Sequence, residues 1–170
     1  MRRLIEDALT LSWLENETPQ LRDEDLDLSE LLDSILDDAR FEYPDRRVVC
    51  ELPEHAPLRD SSSRALGQAI ENVVRNALDH TPAGGRIEVR LERQQEHWRL
   101  TVTDEGPGVP EHWLEQIFQP FFRGHSERAG FGLGLALARR QIEAIGGSIS
   151  AHNHAPGGLL MELWLPGAAV

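Results

Sequence analysis

Two short glycine-rich runs place the strongest constraint on what this chain can fold into. The first, Asp104-Glu-Gly-Pro-Gly108, puts a carboxylate just ahead of two glycines, and the second, Gly130-Phe-Gly-Leu-Gly134, alternates glycines at the start of a helical stretch. Glycine lets backbone N–H groups approach an anion closely, and a helix N-terminus favours negative charge. A carboxylate can accept a hydrogen bond from an exocyclic amine such as that of adenine. The two runs therefore predict the base end and the phosphate end of a nucleotide site.

A pair of asparagines upstream adds a third part to this site. Asn72 and Asn76 are four residues apart, so they share one face of a helix. Taken alone, such a pair is typical of a solvated helix face, Asp104 is typical of a turn, and the second glycine run is typical of a close-packed helix start. The occurrence of all three in one chain favours the nucleotide site.

Hydrophobic periodicity predicts an α/β two-layer sandwich, with helices on one face of a mostly antiparallel sheet. Helices are expected at residues 1–17, 29–41, 63–78 and 133–145, with a short one at 111–118. Strands are expected at residues 47–52, 86–91, 98–103, 148–151 and 159–165. Ser29 is the expected N-cap of the second helix, and the polar segment Gln119–Ala129 is expected to be a mobile loop.

Composition excludes several classes of protein. Acidic residues outnumber basic ones 29 to 17, which disfavours nucleic-acid binding because that requires a basic face. Every basic residue is arginine, so a P-loop and a eukaryotic-type protein kinase are excluded, since both need a lysine. The single cysteine, Cys50, allows no disulfide within the chain, and no apolar run approaches the ~18 residues of a membrane span. A soluble domain from a reducing compartment is expected.

In their order and spacing, these segments resemble the N, G1, F, G2 and final glycine boxes of the catalytic ATP-binding domain of bacterial sensor histidine kinases. This domain has the Bergerat fold of the GHKL superfamily. Glu71–Leu78 and Ile117–Arg123 are most similar to the Cpx and Omp envelope-sensor class. The resemblance covers roughly residues 29–166.

The resemblance also implies a division of the rest of the chain. Residues 1–17 are similar to the end of the second helix of a dimerisation and histidine phosphotransfer domain. Residues 18–28 would be a linker, residues 29–166 the catalytic ATP-binding domain, and residues 167–170 a C-terminal tail.

ATP and Mg²⁺ are the ligands that the resemblance implies. Asn76 would give its amide oxygen to Mg²⁺, and Asn72 would line the same site. Asp104 would bind the adenine amine, while Gly106 and Gly108 would shape the base pocket.

Further residues receive roles by the same resemblance. His80 would pack near adenine, Phe118 would anchor a lid over the nucleotide, and Arg123 would reach the terminal phosphate and share the catalytic role with Asn76. The lid hinge and the helix start facing the phosphates would comprise Gly130, Gly132, Leu133, Gly134 and Leu135.

The chain departs from the family pattern in places. Asp79 stands where a basic residue is common, Phe131 replaces a small hydroxyl residue, and the lid at His125–Ala129 is short. None of the seven histidines has the context of a phosphoacceptor. The chain is therefore expected to be a piece of a longer kinase that holds the phosphoryl donor but not the acceptor.

The expected function is to position Mg²⁺–ATP for phosphoryl transfer to a histidine on a separate helical domain of the same kinase, in two-component signal transduction. The expected partners are that domain and a cognate response regulator, with no nucleic acid. The parent would be a membrane-bound homodimer, and this domain would be cytoplasmic beneath an inner-membrane sensor. Two alternatives stay open: an ATPase of the same superfamily, and a degenerate nucleotide-binding regulatory module.

Overall fold

The computed structural model describes residues 2–16, 24–123 and 132–167. Four helices and seven strands follow one another along these residues. In chain order they are α1 (Arg2–Asn16), β1 (Glu24–Asp27), α2 (Leu28–Glu42), β2 (Arg47–Glu51), β3 (Pro57–Ser61), α3 (Ser63–His80), β4 (Arg86–Gln94), β5 (His97–Asp104), α4 (Gly134–Ala144), β6 (Ser148–Asn153) and β7 (Leu159–Pro166).

A five-stranded sheet with the order β2-β4-β5-β7-β6 forms one layer. The pair β2–β4 is parallel and the other three pairs are antiparallel, which confirms the expected mostly antiparallel sheet. Alternation along the strands separates the two faces of this sheet. Val89, Leu100 and Leu163 point inward and are fully buried, or nearly so, against the helices.

Helices α2, α3 and α4 form the second layer and cover one face of the sheet. They contribute buried side chains to a single core, among them Leu32, Leu36, Ile70, Val74 and Ile142. The opposite face of the sheet is polar and carries cross-strand ion pairs such as Arg99–Glu162 at 2.6 Å and Arg90–Glu51 at 2.9 Å. This confirms the two-layer α/β sandwich.

A small second sheet was not predicted. β1 pairs antiparallel with β3, so Glu24–Asp27, which was predicted to lie in the linker 18–28, forms a strand that pairs with Pro57–Ser61. Both strands are short and lack apolar alternation. Long-range pairing holds them, and no local pattern announces such pairing.

The N-cap of α2 is Asp27, not Ser29. The Asp27 Oδ1 accepts hydrogen bonds from the backbone N–H of Ser29 (2.9 Å) and of Ala56 (3.1 Å). Ser29 is buried, and its hydroxyl donates to the carbonyl of Pro53 at 2.8 Å. Both residue types cap helices well, so tertiary partners decide between them.

Two more expectations need correction near the second glycine run. The predicted short helix at 111–118 is a pair of 3₁₀ turns, Glu111–Trp113 and Gln116–Phe118. α4 begins at Gly134, one residue later than predicted, with Leu133 as its N-cap. Residues 124–129 of the predicted mobile loop, which include the short lid His125–Ala129, lie outside the described residues. Gly130 and Phe131 lie outside them as well.

Two apolar residues of α1 pack against α4. Leu11 is 8% exposed and packs with Leu133 and Leu137 of α4, and Leu4 joins this cluster. Ile5 and Ala8 of α1 are exposed. Among the described residues, no helix is both long and apolar enough to cross a bilayer.

Candidate functional site

Asp104 ends β5 and is almost fully buried, with 3% of its surface exposed. Its Oδ1 accepts two backbone hydrogen bonds, from Gly106 at 2.9 Å and from Leu159 at 3.1 Å. No described residue donates to Oδ2, which is therefore the oxygen that remains for a ligand. Burial raises the pKa of this carboxyl, while the two backbone hydrogen bonds and the nearby His80 oppose the rise.

The glycines after Asp104 are required by close packing. A Cβ on Gly106 would lie 2.6 Å from the carbonyl oxygen of His80. Gly108 has a positive φ of 69°, and a Cβ there would lie 2.8 Å from Oδ1 of Asn153. Only a residue without a side chain fits either position, so the loop lies directly against the end of α3 and the end of β6.

His80 is the last residue of α3 and is exposed. Its Nδ1 donates to the carbonyl of Asn76, one turn earlier, at 2.7 Å. The loop after Asp104 passes against the backbone of His80, and His80 is close enough to Asp104 to act on the pKa of that carboxyl.

Asn72 and Asn76 lie one turn apart on α3. Asn72 is 7% exposed, and its buried Nδ2 has no hydrogen-bond partner among the described residues. A Cβ built on Gly134 would be 3.7 Å from Oδ1 of Asn72, so the amide lies against the first residue of α4. Asn76 is half-buried, and no hydrogen bond joins its side chain to a described residue. An orphaned buried donor beside a helix start matches the phosphate end of a nucleotide.

Asp79, the acid that stands where the family usually has a basic residue, is held by Tyr43, the residue that follows α2. The Tyr43 hydroxyl donates to Asp79 Oδ1 at 2.7 Å. Burial, together with the Asp79 carboxylate, raises the pKa of Tyr43 to about 12. The Asp79 carboxylate is therefore held in place as the acceptor of a hydrogen bond from the un-ionised Tyr43 hydroxyl.

The start of α4 offers uncapped backbone N–H groups. Its N-cap residue is Leu133, whose apolar side chain makes no capping hydrogen bond to them. Gly132 has a φ of 74°, its carbonyl accepts from the Phe121 N–H at 2.8 Å, and a Cβ there would lie 2.7 Å from the Phe122 carbonyl oxygen. Leu133 is buried with α1, while Leu135 is half-buried against the main core.

Phe118 and Arg123 have different environments. Phe118 is buried, and the guanidinium of Arg139 on α4 lies 4.4 Å from its ring centroid. Glu115 holds Arg139 in that position by an ion pair at 3.1 Å. Arg123 is exposed, and no ion pair joins it to a described residue. The ring of Phe118 is therefore held in place from α4, whereas Arg123 makes no ion pair among the described residues.

Sequence reasoning missed Asn153. Its Oδ1 accepts from the Val109 N–H at 3.0 Å and its Nδ2 donates to the Val109 carbonyl at 2.7 Å. This clamps the loop after Asp104 to β6. The signal was weak, since Asn153 is one polar residue at a strand end before the turn Ala155-Pro-Gly-Gly158.

The described residues fit a nucleotide and one accompanying Mg²⁺. A buried carboxylate keeps one oxygen for a base amine, and the amide of Asn72 and the start of α4 supply donors for phosphates. No group of three or more His, Cys, Asp or Glu side chains among the described residues can hold a metal alone. A Mg²⁺ here would take one oxygen from Asn76 and the rest from phosphates and water, which is how this ion is bound beside nucleotides.

Curated relatives match nearly the whole chain. It is 43% identical over 172 residues to the sensor protein PfeS of Pseudomonas aeruginosa, covering 99% of this chain and 38% of that protein. It is 33% identical over 169 residues to the sensor histidine kinase CpxA of Escherichia coli K12, covering 96% of this chain and 36% of that protein. The chain thus spans less than half the length of these relatives.

A solved structure and a family model agree with these relatives. The mycobacterial sensor histidine kinase MprB superposes with a TM-score of 0.79 at 31% identity, covering 87% of this chain and 99% of that one. Residues 61–169 match the model described as histidine kinase-, DNA gyrase B-, and HSP90-like ATPase. The resemblance noted from the motifs is confirmed. The chain belongs to the histidine kinase-, DNA gyrase B- and HSP90-like ATPase family, as an ATP-binding catalytic domain of the sensor histidine kinase type.

Proposed function

We propose that this chain binds Mg²⁺–ATP between α3, α4 and the loop after β5, and presents the terminal phosphate to a histidine on a separate helical domain. The observation that carries the proposal is the Asp104 carboxylate, which is buried, oriented through Oδ1 by two backbone donors, and left with Oδ2 for a ligand. Adenine is a base whose exocyclic amine matches such an acceptor.

At the adenine end, the site residues orient the base. Oδ2 of Asp104 accepts from the amine, and Gly106 and Gly108 let the backbone lie close to the ring. His80 covers the edge of this pocket from the end of α3. Because Asp104 has little access to water, its hydrogen bond to a base is stronger than the same bond would be at the surface.

At the phosphate end, α3 and α4 act from two sides. Asn72 uses its orphaned Nδ2 as a donor, and α4 offers its first N–H groups and the positive end of its dipole. Asn76 would hold Mg²⁺ through its amide oxygen, and the ion would neutralise phosphate charge when bound. Arg123 would add a positive charge at the terminal phosphate, with Gly130 in the hinge of the segment that carries it. Catalysis by these groups would consist of positioning and charge stabilisation.

The side chain of Asn72 favours transfer to a histidine over hydrolysis. A hydrolase needs a base near the metal-bound phosphates to activate water. Asn72 lies one turn before Asn76, and a neutral asparagine cannot act as that base. Glu71 is exposed, and it lies about 100° round the helix from Asn72. Water would therefore compete poorly with an incoming histidine.

The remaining parts of this proposal concern the whole protein. Residues 1–17 would be the end of a helix from the dimerisation and histidine phosphotransfer domain, and a response regulator would receive the phosphoryl group from that domain. The parent would be a membrane-bound homodimer with this domain in the cytoplasm. The similarity to sensor proteins such as PfeS and CpxA supports these assignments.

Calorimetric titration with ATP, ADP and GTP, each with and without Mg²⁺, tests the site. We expect saturable binding of both adenine nucleotides and much weaker binding of GTP, because guanine presents a carbonyl where adenine presents an amine. Transfer of γ-phosphate to an added phosphotransfer domain of the same kinase then tests the reaction. A chain that binds no adenine nucleotide would overturn the proposal. A chain that binds ATP but labels no histidine would be a regulatory module.

A further inference from the structure

A buried polar contact joins α3 to α4 outside the nucleotide site. Gln141 of α4 is 2% exposed, and its Nε2 donates to Oε1 of Gln68 on α3 at 2.7 Å. The Oε1 of Gln141 is also buried and has no hydrogen-bond partner among the described residues. A buried amide oxygen without a hydrogen-bond donor disfavours folding, so this pair stabilises the helix contact less than apolar side chains of the same size would.

The pair lies on the same helix–helix seam as the proposed phosphate end. Gln68 precedes Asn72 by one turn of α3, and Gln141 follows Gly134 by about two turns of α4. Asn72 meets Gly134 and Gln68 meets Gln141, so the helices run antiparallel and the glutamine pair is a second contact along one line.

Two kinds of contact along this seam differ in how sharply they set the position of α4 on α3. Leu137 and Ala138 are fully buried, and apolar contacts of this kind tolerate a small displacement with repacking. A hydrogen bond between two buried side chains tolerates little, because its strength falls steeply with distance and angle. One residue of axial shift in an α-helix is about 1.5 Å, which is enough to separate this pair.

We propose that the Gln68–Gln141 hydrogen bond sets the axial register of α4 against α3, and thereby positions the start of α4 beside Asn72 for phosphate binding. Both glutamines are positioning residues, since neither is placed to touch the nucleotide. This role rests on the proposed nucleotide site. The buried amide of Gln141, with its unpaired oxygen, would then serve to position α4 and not to stabilise the fold.

The test compares ATP with adenosine, which has the base but no phosphates. The variants are Gln141→Leu, Gln68→Leu and the double variant, all in the full chain, with Gln94→Leu at the exposed end of β4 as the matched control. Affinities are measured by titration, and thermal unfolding gives Tm.

We expect ATP affinity to fall about 3- to 30-fold in the single and double variants, the range typical of residues that act through packed neighbours. Adenosine affinity should stay unchanged, because the adenine end belongs to the sheet and the end of α3. The double variant should have a Tm equal to or above that of the wild type, since two leucines leave no unpaired amide. Gln94→Leu should change neither affinity.

Two results would overturn the inference. One is wild-type affinity for ATP in all three variants at the seam. The other is an equal loss of ATP and adenosine affinity together with a lower Tm, which would mean that the pair contributes only to packing. Absence of ATP binding in the wild type would contradict the proposed function itself, and so the two failures are distinguishable.

Discussion

At the scale of single residues, Asp104 shows a conflict between folding and binding. Burial raises the pKa of its carboxyl against the opposing effect of its hydrogen bonds and of His80. A folded-state pKa above the unfolded value means that the group favours folding below the unfolded pKa, and that this contribution is lost as pH rises through the folded pKa. Near neutral pH the ionised carboxylate therefore lowers the free energy of unfolding. We infer that Asp104 is present for ligand binding and not for stability.

Replacing Asp104 by asparagine should separate these two effects. The amide oxygen can still accept from Gly106 and Leu159, but the other atom becomes a donor and faces the adenine amine. We expect ATP affinity to fall about 10- to 100-fold, as for loss of a hydrogen bond to a charged group. The free energy of unfolding at neutral pH should be equal or higher. Calorimetry and urea unfolding measure the two quantities.

The neighbouring carboxylate provides the control. Glu105 is exposed and accepts from the backbone N–H of Arg86 at 3.0 Å. Glu105→Gln should leave ATP affinity unchanged. Equal affinities of the wild type and Asp104→Asn would remove Asp104 from the adenine site.

Gly132 gives a second prediction at this scale, with Gly84 as its match. Both have φ near +75 to +80°, but a Cβ on Gly84 would meet nothing within 4 Å, whereas one on Gly132 would collide with the backbone of Phe121 and Phe122. Gly84→Ala should cost about 1–2 kcal/mol for the left-handed conformation. Gly132→Ala should cost about 1–3 kcal/mol more for the collision, and should weaken ATP binding because it displaces the start of α4.

Thermal unfolding and ATP titration of both variants check this difference. If Gly132→Ala unfolds like Gly84→Ala and binds ATP normally, the contact between Phe121–Phe122 and the start of α4 has no role in the site.

At the scale of elements, Asp27 connects α2 to the small β1–β3 sheet. Burial alone would raise the pKa of its carboxyl, but backbone hydrogen bonds from Ala56, Ser29 and Glu30, together with His55, lower it below the ordinary value of 3.8. A lowered pKa contributes stability that is present above the unfolded pKa and is lost as pH falls through the folded pKa.

Asp27→Ala should therefore destabilise the domain by about 0.5–2 kcal/mol at neutral pH, the usual cost of removing an N-cap. Asp27→Asn should keep most of the cap, because asparagine caps equally well, but should lose the pH dependence. Urea unfolding from neutral pH down through 3.8 measures both effects, with the wild-type advantage over Asp27→Asn shrinking as the pH falls. An advantage that persists in acid would exclude the charge as its source.

Some helices and strands could be predicted from the sequence, and others could not. α3 and the β4–β5 hairpin were predicted because their apolar residues repeat at helical and strand spacing, and both face one core. β1 and β3 were missed because their residues carry no such repeat and are held by pairing between segments some 30 residues apart.

Candidate site residues divide in the same way. Asp104 and its glycines could be singled out because a local motif contains them. Asn153 was missed because its role arises only when β6 comes to lie beside Val109. The N-cap of α2 was misplaced by two residues, because aspartate and serine cap helices about equally well and only the distant partners, Ala56 of Asp27 and Pro53 of Ser29, distinguish the two.

At the scale of the whole molecule, the proposed function predicts that this chain holds the phosphoryl donor and that the acceptor histidine lies on a different domain. Incubation with γ-labelled ATP should leave the chain itself unlabelled, because none of its histidines has an acceptor context. An added phosphotransfer domain from the same kinase should become labelled slowly, since two separate molecules lack the effective concentration that a covalent link provides. Acid-labile phosphate on this chain alone would reveal an acceptor among its own histidines.

Hydrolysis gives the matching measurement on the same preparation. Steady-state phosphate release should be very slow, and Glu71→Ala should leave it unchanged. A turnover that Glu71→Ala abolishes and Asn72→Ala does not would make Glu71 the base and the protein a hydrolase.

The hydrogen bond from the Leu159 N–H to Asp104, together with the Asn153 clamp on Val109, has a consequence for biosynthesis. Translation runs from the N-terminus toward the C-terminus, so the β6–β7 hairpin emerges after the other strands of the described residues. Until it docks, Asp104 lacks one of its two orienting donors and the loop after it lacks its clamp. We therefore expect ATP to stabilise the domain only after this hairpin has docked, so that a chain truncated before β6 should gain little stability from the nucleotide.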